Sequence, residues 1–464
     1  GHRIALMRNL CDRLGLDYRG DVQKINTQGH HQGGVYRIGI GACVDGLLSI
    51  DPEKWHGQDL IIDEVVQVVR HLLTSKTCAQ EGKRPALLAR FRALIQNAGR
   101  VIVADADLDG PTLHYLESLR DDGSRAFLIR NDHRLPGYPV EFIDSDTRDA
   151  IIDCLMLELG ALPRGKVLFV PIDSKALSKQ LARLIRCDSS IRLLVINSET
   201  SSSGDAKNFA TNPDAVLAQN EYDIIISTPS LATGVSIESQ DAIHKVIGIF
   251  QGVSSTDADI AQSLIRVRQP VPRVVWCAKQ GHNFSKISRS TNPLTLKAQL
   301  KQRNEATVAL TRSQLREDSM TALESYDWQS DPHLNLWARI EADKNRCMYS
   351  LADHLRLRLM HEGHNINQTF IDSELEDSCY AEKLKEAREY IRNVEAEEIV
   401  EAHDLTFQHV QELQRCESIA PEDQAAIAKF YIKDFYCVEA VTKELVLDDK
   451  QGQTRAQLAS LAHL

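Results

Sequence analysis

A chain of 464 residues, 43% hydrophobic and 26% charged, is long enough for two or three domains and apolar enough to bury sizeable cores, which excludes a disordered or fibrous protein. A net charge of −11 excludes a uniformly basic nucleic-acid binder. The charge is uneven, however, with eight Lys/Arg against one acid from Lys279 to Arg316, and sixteen acids against five bases from Asp372 to Asp423.

The ten cysteines show no CxxC pair and no Cys/His spacing typical of zinc, so reduced thiols and a cytoplasmic protein are expected. No secretion signal or apolar run of membrane-spanning length occurs, so no membrane partner is expected. The chain opens on Gly1-His2-Arg3 and runs almost at once into an amphipathic pattern, which reads as a fragment lacking its N-terminal part.

In chain order, Ile4, Leu6, Met7, Leu10 and Leu14 recur at helical spacing and predict a helix over about 3–15, closed by Gly15. Gly20 to Gly34 reads as a loop, with His30-His31 solvated in it, and Val35 to Val44 alternates like a strand. Leu60-Ile61-Ile62 is a short buried strand ending on Asp63-Glu64, and Val101-Ile102-Val103-Ala104 is another ending on Asp105-Ala106-Asp107. Helices are predicted at about 67–73, 85–96 and 113–119.

The alternation then restarts. Strands are predicted at 167–170, 193–196, 223–226, 245–250 and 274–277, with helices at 151–159 and 175–185 and a helical segment containing 262–268. Strand and helix alternating twice predicts two α/β domains with parallel sheets, over 1–146 and 147–280. Beyond about 281 only helices are expected, at 294–315, 335–359, 380–403 and 422–441, making 281–464 a helical accessory region.

A strand that stops on two carboxylates presents them at its C-terminal end, the edge where open α/β sheets bind ligands. One carboxylate there can hold Mg²⁺ and the other can orient a water for attack on phosphate. Asp105 to Gly110 also copies half of a calcium loop, but Leu116 stands where that loop needs Glu. Asp107-Leu108-Asp109-Gly110 resembles the nucleophile loop of haloacid-dehalogenase phosphatases, without the later Lys and acidic pair of that family. His361-Glu362-Gly363-His364 departs from the zinc-protease spacing and reads as a helix end.

Taken together, six segments resemble superfamily 2 helicases, more narrowly the herpesvirus origin-binding helicases and the cyanobacterial plasmid replication proteins. His2-Arg3-Ile4-Ala5-Leu6 looks like motif Ia, Cys43-Val44-Asp45-Gly46-Leu47 like the DNA-contacting turn after it, and Asp63-Glu64 like the Walker B pair. Ala104 to Asp107 stands at motif III, Ser227 to Ile237 at motif V and Gln262 to Arg268 at motif VI.

The resemblance covers about 1–280. It implies two RecA-like domains of the P-loop NTPase type, the first incomplete, with ATP and Mg²⁺ as cofactors in the cleft between them. Asp63 would hold Mg²⁺ and Glu64 would activate water. Gln262, Arg266 and Arg268 would face the γ-phosphate, and Asp105, Asp107 and Gly234 would serve the nucleotide. Arg3, Cys43, Asp45, Ser227 and Thr228 would lie on the nucleic acid, with backbone groups contributing.

The implied activity is that of an ATP-dependent DNA helicase or translocase, part of a plasmid- or phage-type replication protein. Its partners would be single-stranded or origin DNA and other replication proteins. No GxxxxGK[ST] occurs in the 464 residues, so this segment alone is expected to be inactive. A RecA-like module that binds DNA or a partner without hydrolysis is the alternative.

Overall fold

The computed structural model describes residues 4–19, 39–120, 122–133, 136–187, 190–201, 203–231, 235–311, 327–371, 379–414 and 419–461. The chain forms two compact units. The first comprises Gly1–Leu135, Ala232–Gly234 and Gln280–His354, and the second Pro136–Leu231, Val235–Lys279 and Leu355–Leu464.

In the first unit, α1 (Ile4–Leu14) precedes a short parallel pair, β1 (Asp17–Tyr18) and β2 (Ile40–Gly41). A 3₁₀ turn over Val44–Ser49 stands where the strand predicted to run to Val44 was expected to end. Then β3 (Asp59–Asp63) and β4 (Arg100–Ala104) pair in parallel, with Asp63 opposite Ala104. Between them run α2 (Val65–Thr74), α3 (Lys76–Ala79) and α4 (Arg84–Asn97), and α5 (Gly110–Leu119) follows β4.

The crossover helices cover one face of the strand pair. Leu60, Ile62, Val101 and Val103 pack into the core with Val65, Val69 and Phe91, whereas Ile61 and Ile102 remain exposed. Two helices from the C-terminal third join this unit, α11 (Pro293–Thr311) and α12 (Pro332–Tyr349). Leu336 of α12 enters the core, and the Tyr115 hydroxyl bonds His333 Nδ1 at 2.9 Å.

The second unit is built on seven parallel strands: β5 (Pro139–Asp144), β6 (Val167–Pro171), β7 (Leu193–Ile196), β8 (Ile224–Ser227), β9 (Ile243–Phe250), β10 (Arg273–Cys277) and β11 (Asn365–Phe370). Their order across the sheet is β11-β5-β10-β9-β6-β8-β7. Every residue of β6, β8 and β10 is buried. Strands covered on both faces carry continuous apolar runs, and for that reason they are legible in sequence.

The flanking helices include α6 (Asp149–Gly160), α7 (Lys175–Ile185), α8 (Gly204–Thr211), α9 (Pro213–Ala218) and α10 (Asp257–Leu264). Ser174 caps α7 by accepting from the Leu177 amide, and a Thr256/Asp259 capping box opens α10.

The C-terminal third differs from one helical block over 281–464. It is divided between the units and contributes a strand. β11 pairs β5 in parallel, from Asn365 opposite Pro139 to Phe370 opposite Asp144. Its sequence, Asn-Ile-Asn-Gln-Thr-Phe, is polar because it forms an edge, and polarity hides such strands from an apolar search. The predicted helix over 335–359 is likewise two helices, α12 and α13 (Leu351–His361), broken at Ser350. The last helices are α14 (Cys379–Glu401), α15 (Phe407–Gln414), α16 (Pro421–Tyr436), α17 (Lys443–Asp449) and α18 (Gln453–Leu461). Leu384 of α14 reaches the sheet core, and Lys179 bridges Glu199 and Glu395 at 2.6 Å each.

Candidate functional site

The C-terminal ends of β3 and β4 lie side by side because the strands are parallel and in register. Four carboxylates therefore gather from two stretches some forty residues apart: Asp63, Glu64, Asp105 and Asp107. Glu64 sits at the junction of β3 and α2 with φ 54° and ψ 52°, a left-handed conformation uncommon for a residue with a side chain. That turn lets α2 start at once.

Asp105 holds the corner. Its carboxylate accepts from the Val66 amide at 2.8 Å and from the Asp107 amide at 2.8 Å. Gln67, one turn along α2, donates Nε2 to Glu64 Oε2 at 3.0 Å. Gln67 was not singled out from the sequence. Its i+3 spacing from Glu64 on a helix was the available signal.

Burial, then the charges of Asp105, Asp63 and Asp107, push the Glu64 carboxyl up to about 7. Burial also raises Asp105, against its two backbone hydrogen bonds. A carboxyl titrating near neutrality can both accept and return a proton at working pH. The oxygen donors and the mutual repulsion suit a hard divalent cation such as Mg²⁺. Asp109, by contrast, is occupied in capping α5, accepting from the Thr112 amide at 2.8 Å.

In the second unit the predicted motif VI residues separate. Gln262 lies on α10, half-buried, and Ile265 ends that helix. Beyond the helix, a turn at Ile265–Arg266 leads into a parallel bridge between Ile237 and Val267, and Arg266 and Arg268 meet different surroundings. Arg266 is 7% exposed and donates Nη2 to the Leu231 carbonyl at 3.0 Å. Arg268 is exposed, its Nε on Ser236 Oγ at 3.0 Å.

Ser227 and Thr228 end β8 inside the protein, 1% and 5% exposed. The Thr228 hydroxyl donates to the Ile196 carbonyl at 3.2 Å, and Ser227 Oγ is buried with no partner. The hydroxyl contact to nucleic acid expected of this pair is not what their burial offers, because the strand end is covered.

Cys43 is half-buried, its Sγ 3.9 Å from the Tyr18 hydroxyl. Asp45 turns its carboxylate onto His71, Thr77 and Cys78, so its side chain is not offered to a phosphate. Arg3 and Gly234, like His30 and His31, lie outside the described residues.

No family model matches the chain. An uncharacterized protein of Picosynechococcus sp. is 27% identical over 310 residues, 62% of this chain, and the chain spans 29% of that protein's length. Among solved structures, Mss116p bound to ssRNA and AMP-PNP aligns at TM-score 0.38 and 12% identity, covering 76% of this chain and 73% of that one. S. cerevisiae Dbp5 bound to RNA and ADP BeF3 aligns at 0.39 and 10%, over 76% and 69%. T4 UvsW aligns at 0.27 and 10%, over 72% and 58%. Likenesses this slight assign no activity. Among the described residues no helix is long and apolar enough to cross a membrane.

Proposed function

We propose that the chain is the ATPase portion of a DNA helicase or translocase, with Asp63 and Glu64 at its nucleotide site. The observation that carries this reading is the convergence at the ends of β3 and β4, where Glu64 is held as a base titrating near 7 among three further carboxylates. Asp63 would hold Mg²⁺, which supplies charge neutralisation at the phosphates when bound. Glu64 would orient the attacking water, fixed by Gln67. Asp105 would link the carboxylates to the start of α2, and Asp107 would complete the acidic rim.

In the second unit the exposed guanidinium of Arg268 is the better placed candidate for a phosphate, with Gln262. Arg266 then serves as a buried brace of the Leu231 turn. Single-stranded or origin DNA is the expected nucleic acid, and a role in plasmid- or phage-type replication follows from the motif resemblance.

ATP binding on this reading calls for a glycine-rich phosphate loop, which the 464 residues do not contain. The activity is therefore to be measured on a chain that carries such a loop in cis. DNA-stimulated ATPase should fall roughly 100-fold or more in Glu64→Gln, the size of a lost general base. Unchanged turnover in that variant discards the assignment. DNA binding without any ATPase in the wild type selects the non-hydrolysing module instead.

A further inference from the structure

A second cluster stands apart from the carboxylates of β3 and β4. The 3₁₀ turn over Val44–Ser49 brings Asp45 against the end of α2 and the start of α3. Asp45 Oδ1 lies 3.0 Å from His71 Nε2, 3.1 Å from Thr77 Oγ1 and 3.1 Å from Cys78 Sγ, and Oδ2 is also 3.0 Å from His71 Nε2. Three donor-bearing groups thus converge on one carboxylate oxygen, more than its two lone pairs accept in good geometry. Such convergence of oxygen, nitrogen and sulfur on one point is what a bound cation organises. The imidazole nitrogen, thiol sulfur and carboxylate oxygen all lie within 4.8 Å of one another.

We propose that Asp45, His71 and Cys78 form a zinc-type transition-metal site. The chemistry matches in three respects. A carboxylate and a thiolate supply two negative charges for a divalent ion, and neutral imidazole completes a mixed O, N, S set that selects zinc over magnesium or calcium. Tetrahedral coordination separates such donors by roughly 3.4–3.6 Å, so each contact here needs to open by only about half an ångström. The cluster is also accessible from one side: Cys78 is fully buried, while the His71 and Asp45 side chains are 23% and 40% exposed. A water from that side supplies the fourth ligand.

Around the cluster, Ser75 Oγ accepts from the Cys78 amide at 3.1 Å and bonds the Thr77 hydroxyl at 2.7 Å, which holds the start of α3 in place. Arg84 donates to the Ser75 carbonyl, while burial and then the hydrogen bond to Asp45 push the Cys78 thiol up. Without metal, Cys78 is a protonated donor to Asp45. On metal binding the thiol proton leaves to solvent and the sulfur pair goes to the metal. The ion would then tie the Val44–Ser49 turn to α2 and α3. The site has no Cys/His spacing motif because its three ligands come from three different elements.

Titration of the purified chain with Co²⁺ tests this directly. The expected result is a near-ultraviolet thiolate-to-cobalt absorption at one ion per chain, displaced by Zn²⁺. The band should be lost in Cys78→Ser, and affinity should fall roughly tenfold or more in Asp45→Asn and His71→Gln, while Cys187→Ser leaves it unchanged. No band on the folded wild-type chain at millimolar Co²⁺, or the same band in folded Cys78→Ser, overturns the proposal. Should the buried Cys78→Ser fail to fold, the partly exposed His71 decides, and unchanged affinity in folded His71→Gln overturns it.

Discussion

The carboxylate of Asp105 accepts a hydrogen bond from the backbone amide of Val66 at 2.8 Å. It thereby satisfies a donor that the first turn of α2 cannot pair internally. Through this bond the end of β4 fixes the start of the helix that follows β3, and with it the left-handed turn at Glu64. Asp105→Ala should cost the first unit about 1–2 kcal/mol, the usual loss for an N-terminal cap. Asp105→Asn, which keeps an acceptor oxygen, should cost less. Urea unfolding of both variants separates the two outcomes.

The pH dependence of stability follows from Glu64. Its folded carboxyl titrates near 7, above its ordinary 4.5, because burial and then Asp105, Asp63 and Asp107 disfavour its charge. A raised acid contributes stability that is fully present below about 4.5 and is lost as pH rises through about 7. Glu64→Gln removes this dependence. Relative to wild type it should gain about 1 kcal/mol between pH 5 and pH 8, a value reduced for the solvent screening of a half-exposed group. Thermal melts across that range check it, and parallel profiles for the two proteins contradict it.

Arg266 and Arg268 should behave oppositely. Arg266 is buried and bonded to the Leu231 carbonyl, so Arg266→Ala should cost about 2–3 kcal/mol as a charged hydrogen bond and its packing are lost. Arg268→Ala, at an exposed position, should change stability by less than about 0.5 kcal/mol. On the proposed function, Arg268→Ala should nonetheless remove most ATPase activity in a chain able to bind ATP. Denaturation midpoints and turnover, measured on the same preparations, test the pair.

Gly137→Ala should loosen the edge strand β11. A methyl group there would stand 2.1 Å from the Gly363 carbonyl oxygen and 3.2 Å from the His364 Cα, both backbone atoms that cannot swing aside. The cost should be about 1–3 kcal/mol. Amide exchange should report it first at Asn365–Phe370, the residues paired with β5.

The sequence by itself determined the elements whose signal is local. The wholly buried strands over Val167–Pro171 and Ile224–Ser227 announce themselves as apolar runs, and α7 falls on its predicted residues, Lys175–Ile185. Asp63-Glu64 and Asp105-Ala-Asp107 were likewise visible as strand ends, because a run of β-branched residues stopping on carboxylates needs no distant partner to be recognised. Tertiary structure decided what depends on partners far along the chain. Parallel pairing in register brings the two acidic ends together, and burial there, with the charge of Asp105 added, raises Glu64. The polar segment at Asn365–Phe370 becomes a strand because β5 leaves an edge for it. Arg266 and Arg268 look alike in sequence, yet the turn after α10 leaves Arg266 buried against the Leu231 carbonyl and Arg268 exposed. Asp45, His71 and Cys78 belong to three separate elements and share no spacing rule, so their meeting exists only once α2 and the Val44–Ser49 turn have packed.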